Sequence, residues 1–322
     1  MASQRLFEDI PAFPDDIPTA SMHTISLARL RSGDEVAAKN LVAACQELGF
    51  FLLSLDGDML GNELMMEIDH IFLAGKDIMN LPRDVKDQYL NDPGAFLDGL
   101  MGNTPLQPLP PIVHTYRALF TSFLKHGQSV VATFSSTIAT QLGLPPDTFT
   151  SLQDPTQPSG TVIRLIKAFA SPSSEDLRTS MIHHTDFGTI TLLANVLGGL
   201  QILAPGRSLT EESAWLWVRP RPGSLVVNLG DAMVQWTGEV LRSNNHRIKH
   251  APGAQQFEDR YSLALLVRPE RNASMRKLVS SADDAEDSQL TAWEWEVKKS
   301  MALMRGKAVA QSKGGKPLAL KV

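Results

Sequence analysis

Between residues 161 and 267 the chain changes character, from helical periodicity to short β-branched and apolar runs, each broken by Gly, Pro or Asn. Strands this short gain little alone and must pair into sheets whose edges are then covered or closed. The expected core is therefore mainly β with supporting α-helices, a double-stranded β-helix or jelly roll. The first half reads differently. Ala38, Leu41, Val42, Cys45 and Leu48 recur at steps of three and four, as do Leu64, Met65, Ile68, Ile71 and Phe72, the spacing of amphipathic helices. A longer helix is expected over 112–142, with Tyr116, Leu119, Phe120, Phe123 and Leu124 inward and an end at Gly143 before Pro145.

At 322 residues and 43% hydrophobic, the chain can bury one large core or two. We read 1–322 as a single domain: mainly helical support with the first strands over 1–155, a jelly-roll core over 156–275, a C-terminal helix over 285–306 and a tail over 307–322. That last helix carries Trp293, Trp295, Val297, Met301 and Met304. The two tryptophans, two positions apart, cannot share one face, and one of them is expected over the barrel mouth. The acidic run 283–287 reads as a solvated helix entry.

A net charge of −5 without a basic tract makes nucleic acid and anionic membrane poor partners. The absence of a long apolar stretch or secretory signal makes a cytoplasmic protein the expectation, as monomer or homodimer. The single cysteine, Cys45, rules out an intramolecular disulfide framework and reads as buried packing. Met65, Met66, Met79 and Met101 read as core filling rather than as a pocket lining. His70, His114 and His126 fall in helices without an acid at metal-ligand spacing and read as surface or capping side chains.

The chemistry concentrates in the strand-rich half. His184-Thr185-Asp186 opens a β-branched run, His246 follows 60 positions after Asp186, and Arg260 and Ser262 lie two apart on a further strand. The triplet alone reads more readily as a hydrogen-bonded histidine at a strand edge. Its context points further, because side chains at i and i+2 of an extended segment aim the same way. His183 would face the other side and is excluded as a ligand. His250 abuts a Pro-Gly turn, so His246 is preferred. Two imidazoles and one carboxylate can hold Fe(II) on one triangular face, leaving three positions for a co-substrate and O2. Arg260, sharing a face with Ser262, needs an anion if it is buried and is otherwise a surface cation.

The stretches HTDFGTITLL, GGLQIL, PGSLVVNLGD, SNNHRIKHAPG and DRYSLALLVRPE resemble the iron(II)/2-oxoglutarate-dependent dioxygenases of the isopenicillin N synthase-like superfamily. Residues 39–51 resemble that family's opening helix and first strand. The resemblance implies Fe(II) held by His184, Asp186 and His246, with 2-oxoglutarate on the iron and its far carboxylate on Arg260 and Ser262. It implies oxidative decarboxylation of 2-oxoglutarate to succinate and CO2, coupled to hydroxylation or desaturation of a small-molecule substrate. The text around Arg260 leans towards microbial, especially fungal, specialised metabolism.

Two departures stand out. Ala168 occupies a place where family members often carry a Tyr that touches 2-oxoglutarate. Arg164, expected on the same inward face as Ile166 and Ala168, would bind co-substrate or a polar substrate group, or else flank the sheet edge as a cation. The segment 94–105 is also shorter than the family's active-site cover there. Two alternatives stay open at this point: an oxidase of the same scaffold that uses no 2-oxoglutarate, and a small-molecule binder that has lost catalysis.

Overall fold

The structure, a computed structural model, describes residues 9–89, 108–170, 179–279 and 288–304. The segment 94–105, Met101, the acidic run 283–287 and the tail lie outside the described residues. No described helix is long and apolar enough to cross a membrane.

Among the described residues, ten strands form two sheets. They are β1 (Thr24–Ser26), β2 (Phe50–Ser54), β3 (Val162–Ala168), β4 (Thr179–His184), β5 (Ile190–Asn195), β6 (Leu200–Leu203), β7 (Trp215–Trp217), β8 (Ser224–Leu229), β9 (His246–Lys249) and β10 (Arg260–Val267). The larger sheet runs β1-β2-β8-β5-β10-β3 and the smaller β4-β9-β6-β7. All the strand pairs are antiparallel apart from β1 with β2. Phe50, Leu52 and Val226 of the large sheet pack with Leu200 and Ile202 of the small one, so the two sheets enclose a common apolar interior, as in a jelly roll.

The alternation along β10 shows why the sheet needs a helical backing. Leu263, Leu265 and Val267 join the largest core cluster, while Arg260 and Ser262 take the opposite face, the period of two that a strand imposes. The covering helices are α1 (Leu27–Arg31), α2 (Glu35–Glu47), α3 (Met59–Met79), α4 (Arg83–Asp87), α5 (Pro111–Thr115) and α6 (Arg117–Gln141). Leu64, Ile68 and Phe72 of α3 and Phe123, Val130 and Phe134 of α6 bury against the same cluster. The Asp34 carboxylate caps α2 by accepting from the amides of Val36 and Ala37, and Asp58 caps α3 through Gly61.

Several expectations need correction. The helix over 112–142 is interrupted at Tyr116, whose hydroxyl donates to Asp77 on α3 at 2.7 Å. Gly230-Asp231 does not merely end β8 but starts the short helix α7 (Asp231–Trp236). The strand after residues 39–51 is the second one, because Thr24–Ser26 precedes it. Met66 is exposed rather than core-filling, whereas Met65 packs against the core. His126 does have acidic partners: it contacts Glu67 at 2.9 Å and Glu63 at 3.5 Å, one helical turn apart on α3. Cys45 is buried as expected, and burial pushes its thiol up.

Asp69 runs against the local logic. It is 7% exposed on α3, and neither carboxylate oxygen has a hydrogen-bond partner among the described residues. Burial raises its pKa, with His70 opposing, so the folded state holds this proton more tightly than the unfolded state does. Stability should then fall as pH rises from the ordinary Asp value through the raised one. Asp69→Asn is expected to stabilise the protein by about 1 kcal/mol or more at pH 8 and to flatten that slope. Thermal melts from pH 4 to 8 check this; a lower melting temperature for the variant at pH 8 would contradict it.

Candidate active site

Strand pairing brings the expected ligands together. His184, at the end of β4, lies opposite His246 at the start of β9, and their ring centroids are 4.3 Å apart. Asp186 sits just past the strand, in the turn, rather than on the extended segment itself. Its Oδ1 is 3.7 Å from Nε2 of His184 and 3.7 Å from Nε2 of His246. Among the described residues these three make the one group of His, Cys, Asp or Glu side chains close enough to hold a metal ion, their ligand atoms all within 4.8 Å of one another. His183 turns instead towards Trp215, and His250 lies beyond the end of β9.

The surroundings fix how these groups point. Asp186 Oδ2 accepts from Asn228 Nδ2 at 2.8 Å and from Thr191 Oγ1 at 2.7 Å, which leaves Oδ1 to face the two imidazoles. His246 Nδ1 lies 3.2 Å from the Asn244 carbonyl. A carbonyl only accepts, so Nδ1 carries the hydrogen and Nε2 keeps a lone pair for a metal. Asn244 is held in turn by its side-chain bond to the Leu203 carbonyl. Burial raises the pKa of Asp186, but the charges of His246 and His184 and the hydrogen bonds from Asn228 and Thr191 outweigh it. The carboxyl therefore sits below its ordinary value. Two neutral-capable imidazoles beside a buried carboxylate form a donor set that fits a divalent first-row metal with open positions.

Register carries the next step. Directly opposed residues of paired strands point to the same side of a sheet. Thr191, which bonds Asp186, opposes Leu266, and Leu193 opposes Ala264. Arg260 and Ser262, on the same β10 face as Ala264 and Leu266, therefore look into the same interior as the Asp186 carboxylate. Arg260 is 5% exposed and Ser262 equally buried, which excludes the surface-cation reading of Arg260. Its Nε donates to the Gly198 carbonyl at 2.7 Å, while its buried Nη2 has no hydrogen-bond partner among the described residues. Burial pushes its pKa down to about 10, so it still carries its charge at neutral pH. A buried, charged guanidinium of this kind is suited to pair with an anion.

Ala168 pairs directly with Arg260, Ile166 with Ser262 and Arg164 with Ala264. Arg164 thus projects from the inner face of an edge strand. It is exposed, yet its pKa is lowered by partial burial and by the neighbouring charge of Arg268, with Asp186 opposing. No hydrogen bond or ion pair engages it among the described residues.

The sequence reading missed several supporting residues. Asn228 was visible as a lone polar residue in the apolar run of β8, and Thr191 as a hydroxyl in a buried strand. Gly199 has φ +115°, and a Cβ there would come within 2.7 Å of the Lys249 carbonyl and 3.0 Å of Arg260 Nε. The glycine pair is what lets backbone approach the guanidinium. Trp293 stacks with Arg271, and Trp295 lies under Lys299, both on the C-terminal helix α8 (Ala292–Met304).

The sequence profile of the 2OG-Fe(II) oxygenase superfamily matches residues 161–269. The chain is 30% identical over 188 residues to the 2-oxoglutarate-dependent dioxygenase iboH of Amanita muscaria, covering 58% of this chain and 85% of that protein. It is 28% identical over 309 residues to a 2-oxoglutarate-dependent dioxygenase of Aspergillus fumigatus, covering 83% of this chain and 80% of its relative. In backbone it matches a full-length Neurospora crassa protein solved with α-ketoglutarate and 5-formyluracil. That match has a TM-score of 0.72 at 19% identity, over 90% of this chain and 98% of that one. The jelly-roll core, the cluster of two histidines and an aspartate, and these relatives define the class: the chain belongs to the 2OG-Fe(II) oxygenase superfamily, in its isopenicillin N synthase-like branch. It is an Fe(II)- and 2-oxoglutarate-dependent dioxygenase, with O2 as the second co-substrate.

Because Asn228 and Thr191 aim the carboxylate, Asn228→Ala is expected to weaken metal binding by about 10- to 100-fold while the protein still folds. Titration with Mn(II), read by electron paramagnetic resonance, checks this; unchanged affinity would contradict it.

Proposed function

We propose that His184, Asp186 and His246 hold the iron and that Arg260 and Ser262 bind the 5-carboxylate of 2-oxoglutarate. We propose further that the enzyme hydroxylates or desaturates an unactivated C–H bond of a small specialised metabolite. The single observation that carries this reading is the buried Arg260 Nη2 without a partner, on the same sheet face as the side chains that grip Asp186. The chain acts as one catalytic unit, with the helices α1 to α6 and α8 supporting the jelly roll.

Bound at the triad, ferrous iron supplies the activation of O2 that is coupled to decarboxylation of 2-oxoglutarate. In hydroxylation the atoms balance as R–H plus 2-oxoglutarate plus O2 giving R–OH, succinate and CO2. In desaturation two hydrogens leave the substrate and water is the further product. The chain's own groups do the positioning. Asn228 and Thr191 hold one Asp186 oxygen so that the other is presented to the metal. The Asn244 carbonyl keeps the His246 proton on Nδ1. Arg260 and Ser262 fix the far end of the co-substrate, and the wall of Phe50, Leu52, Leu200, Ile202 and Val226 keeps water from its flank. Arg164 is left free to take a polar or anionic group of the substrate. The matching of fungal relatives supports the metabolite class.

Succinate is expected to form in one-to-one ratio with oxidised product; product without succinate would instead favour an oxidase that draws all its electrons from the substrate. Arg260→Ala removes a charge-assisted contact of about 2 kcal/mol, so the KM for 2-oxoglutarate should rise about 30-fold or more, with Mn(II) affinity unaltered. An unchanged KM would remove Arg260 from that role. Arg164→Gln should leave the co-substrate KM within about twofold, and a change as large as that of Arg260→Ala would reassign Arg164 to co-substrate binding.

A further inference from the structure

One buried carboxylate beside the site is used by neither the metal nor the co-substrate. Asp231 is 7% exposed and sits at the start of α7, immediately after β8. Its Oδ2 accepts from Thr185 Oγ1 at 3.0 Å and from the Lys299 ammonium of α8. Its Oδ1 accepts from Ser243 Oγ. Thr185 stands between the two ligands His184 and Asp186, and Ser243 stands three residues before His246. A single side chain therefore ties the turn that carries two ligands to the loop that carries the third.

The backbone repeats the connection. Asp231 N–H donates to the Asp186 carbonyl at 2.8 Å, Ala232 N–H to the Gly188 carbonyl at 3.1 Å, and Gly230 N–H to the Thr189 carbonyl at 2.9 Å. A Cβ on Gly230 would lie 2.2 Å from the Gly188 carbonyl oxygen, so this approach depends on a glycine there. Lys299 is held over the rings of Trp295 at 4.4 Å and Phe187 at 5.4 Å. Phe187 directly follows Asp186. Nothing in this arrangement resembles a fourth ligand, because both oxygens of Asp231 are spent on hydroxyls and the ammonium.

We infer that Asp231 is a positioning residue for the metal site, clamping the 184–188 turn against the loop before His246, and that Lys299 extends the clamp to the C-terminal helix. The inference rests on the reading of His184, Asp186 and His246 as iron ligands. Among the described residues, Lys299 is the one cationic partner of a buried carboxylate that is otherwise stabilised by hydroxyls. Removing it leaves Asp231 poorly compensated and frees the turn on the side away from Asn228. The C-terminal helix thereby becomes a determinant of metal affinity rather than a mere cover.

The test uses the purified full-length protein, Mn(II) as the probe, and four variants beside the wild type: Lys299→Met, Lys299→Arg, Asp231→Asn and Thr185→Val. Lys299→Met and Asp231→Asn should weaken Mn(II) binding by about 10- to 100-fold, and Thr185→Val should weaken it in the same direction. Lys299→Arg, which keeps the cation, should restore affinity to within about threefold of wild type. Amide hydrogen exchange over 184–188 should quicken in Lys299→Met while exchange in α3 and α6 stays as in wild type, a pattern that general destabilisation would not give. Lys299 lies on a peripheral helix, so that variant decides the matter even if Asp231→Asn does not fold. His184→Ala separates the two layers of the argument. If it abolishes Mn(II) binding while Lys299→Met and Thr185→Val bind as wild type does, the clamp is overturned and the ligand reading stands. If His184→Ala binds Mn(II) normally, the ligand reading itself fails.

Discussion

A carboxylate with one oxygen fastened and the other open is the interaction on which the site depends. Asp186 Oδ2 is taken by Asn228 and Thr191, so Oδ1 must face the two imidazole nitrogens, each 3.7 Å away. A freely rotating carboxylate could pair with either histidine or turn to solvent. Here the two hydrogen bonds come from neighbouring strands of the large sheet, β5 and β8. The geometry of the ligand set is thus a property of the sheet rather than of the turn that carries the aspartate. Metal-binding groups built on rigid elements in this way lose little order when an ion arrives.

The same sheet carries the buried guanidinium proposed to bind the co-substrate. Because β5 and β10 are in register, the face that holds Thr191 against Asp186 also holds Arg260 and Ser262. Burial of a guanidinium with one nitrogen unpaired is costly in isolation. It is understandable in a protein whose co-substrate is a dicarboxylate, as it is for this family. The other face of β10 is spent on leucines and a valine packed against α3 and α6. One strand thus joins the helical core on one side to the chemistry on the other, and a slip of one residue would exchange the two faces.

What could be read from the sequence followed from these periodicities. His184, Asp186, His246, Arg260 and Ser262 stood out as candidates because their types and order are unusual together, and the strands around them alternate clearly. The helices over Ala38–Leu48 and Leu64–Phe72 were legible for the same reason. Tyr116 interrupts a helix through a tertiary bond to Asp77, which no local pattern announces. The helix at Asp231 was missed because a Gly-Asp pair at a strand end reads as a turn. Asn228 and Thr191 matter only through pairing with a residue 42 and 5 positions away, so their roles emerge once the register is known. Lys299 is more remote still, 68 positions from Asp231. Long-range polar contacts are where sequence periodicity stops informing.

The central claim is most directly tested by anomalous diffraction from anaerobic crystals grown with Mn(II) and 2-oxoglutarate. The account predicts a single strong peak bonded to His184 Nε2, Asp186 Oδ1 and His246 Nε2, with the distal carboxylate of 2-oxoglutarate on Arg260 Nη2. A peak elsewhere, or a metal bonded through Asp186 Oδ2 with Asn228 and Thr191 released, would contradict it.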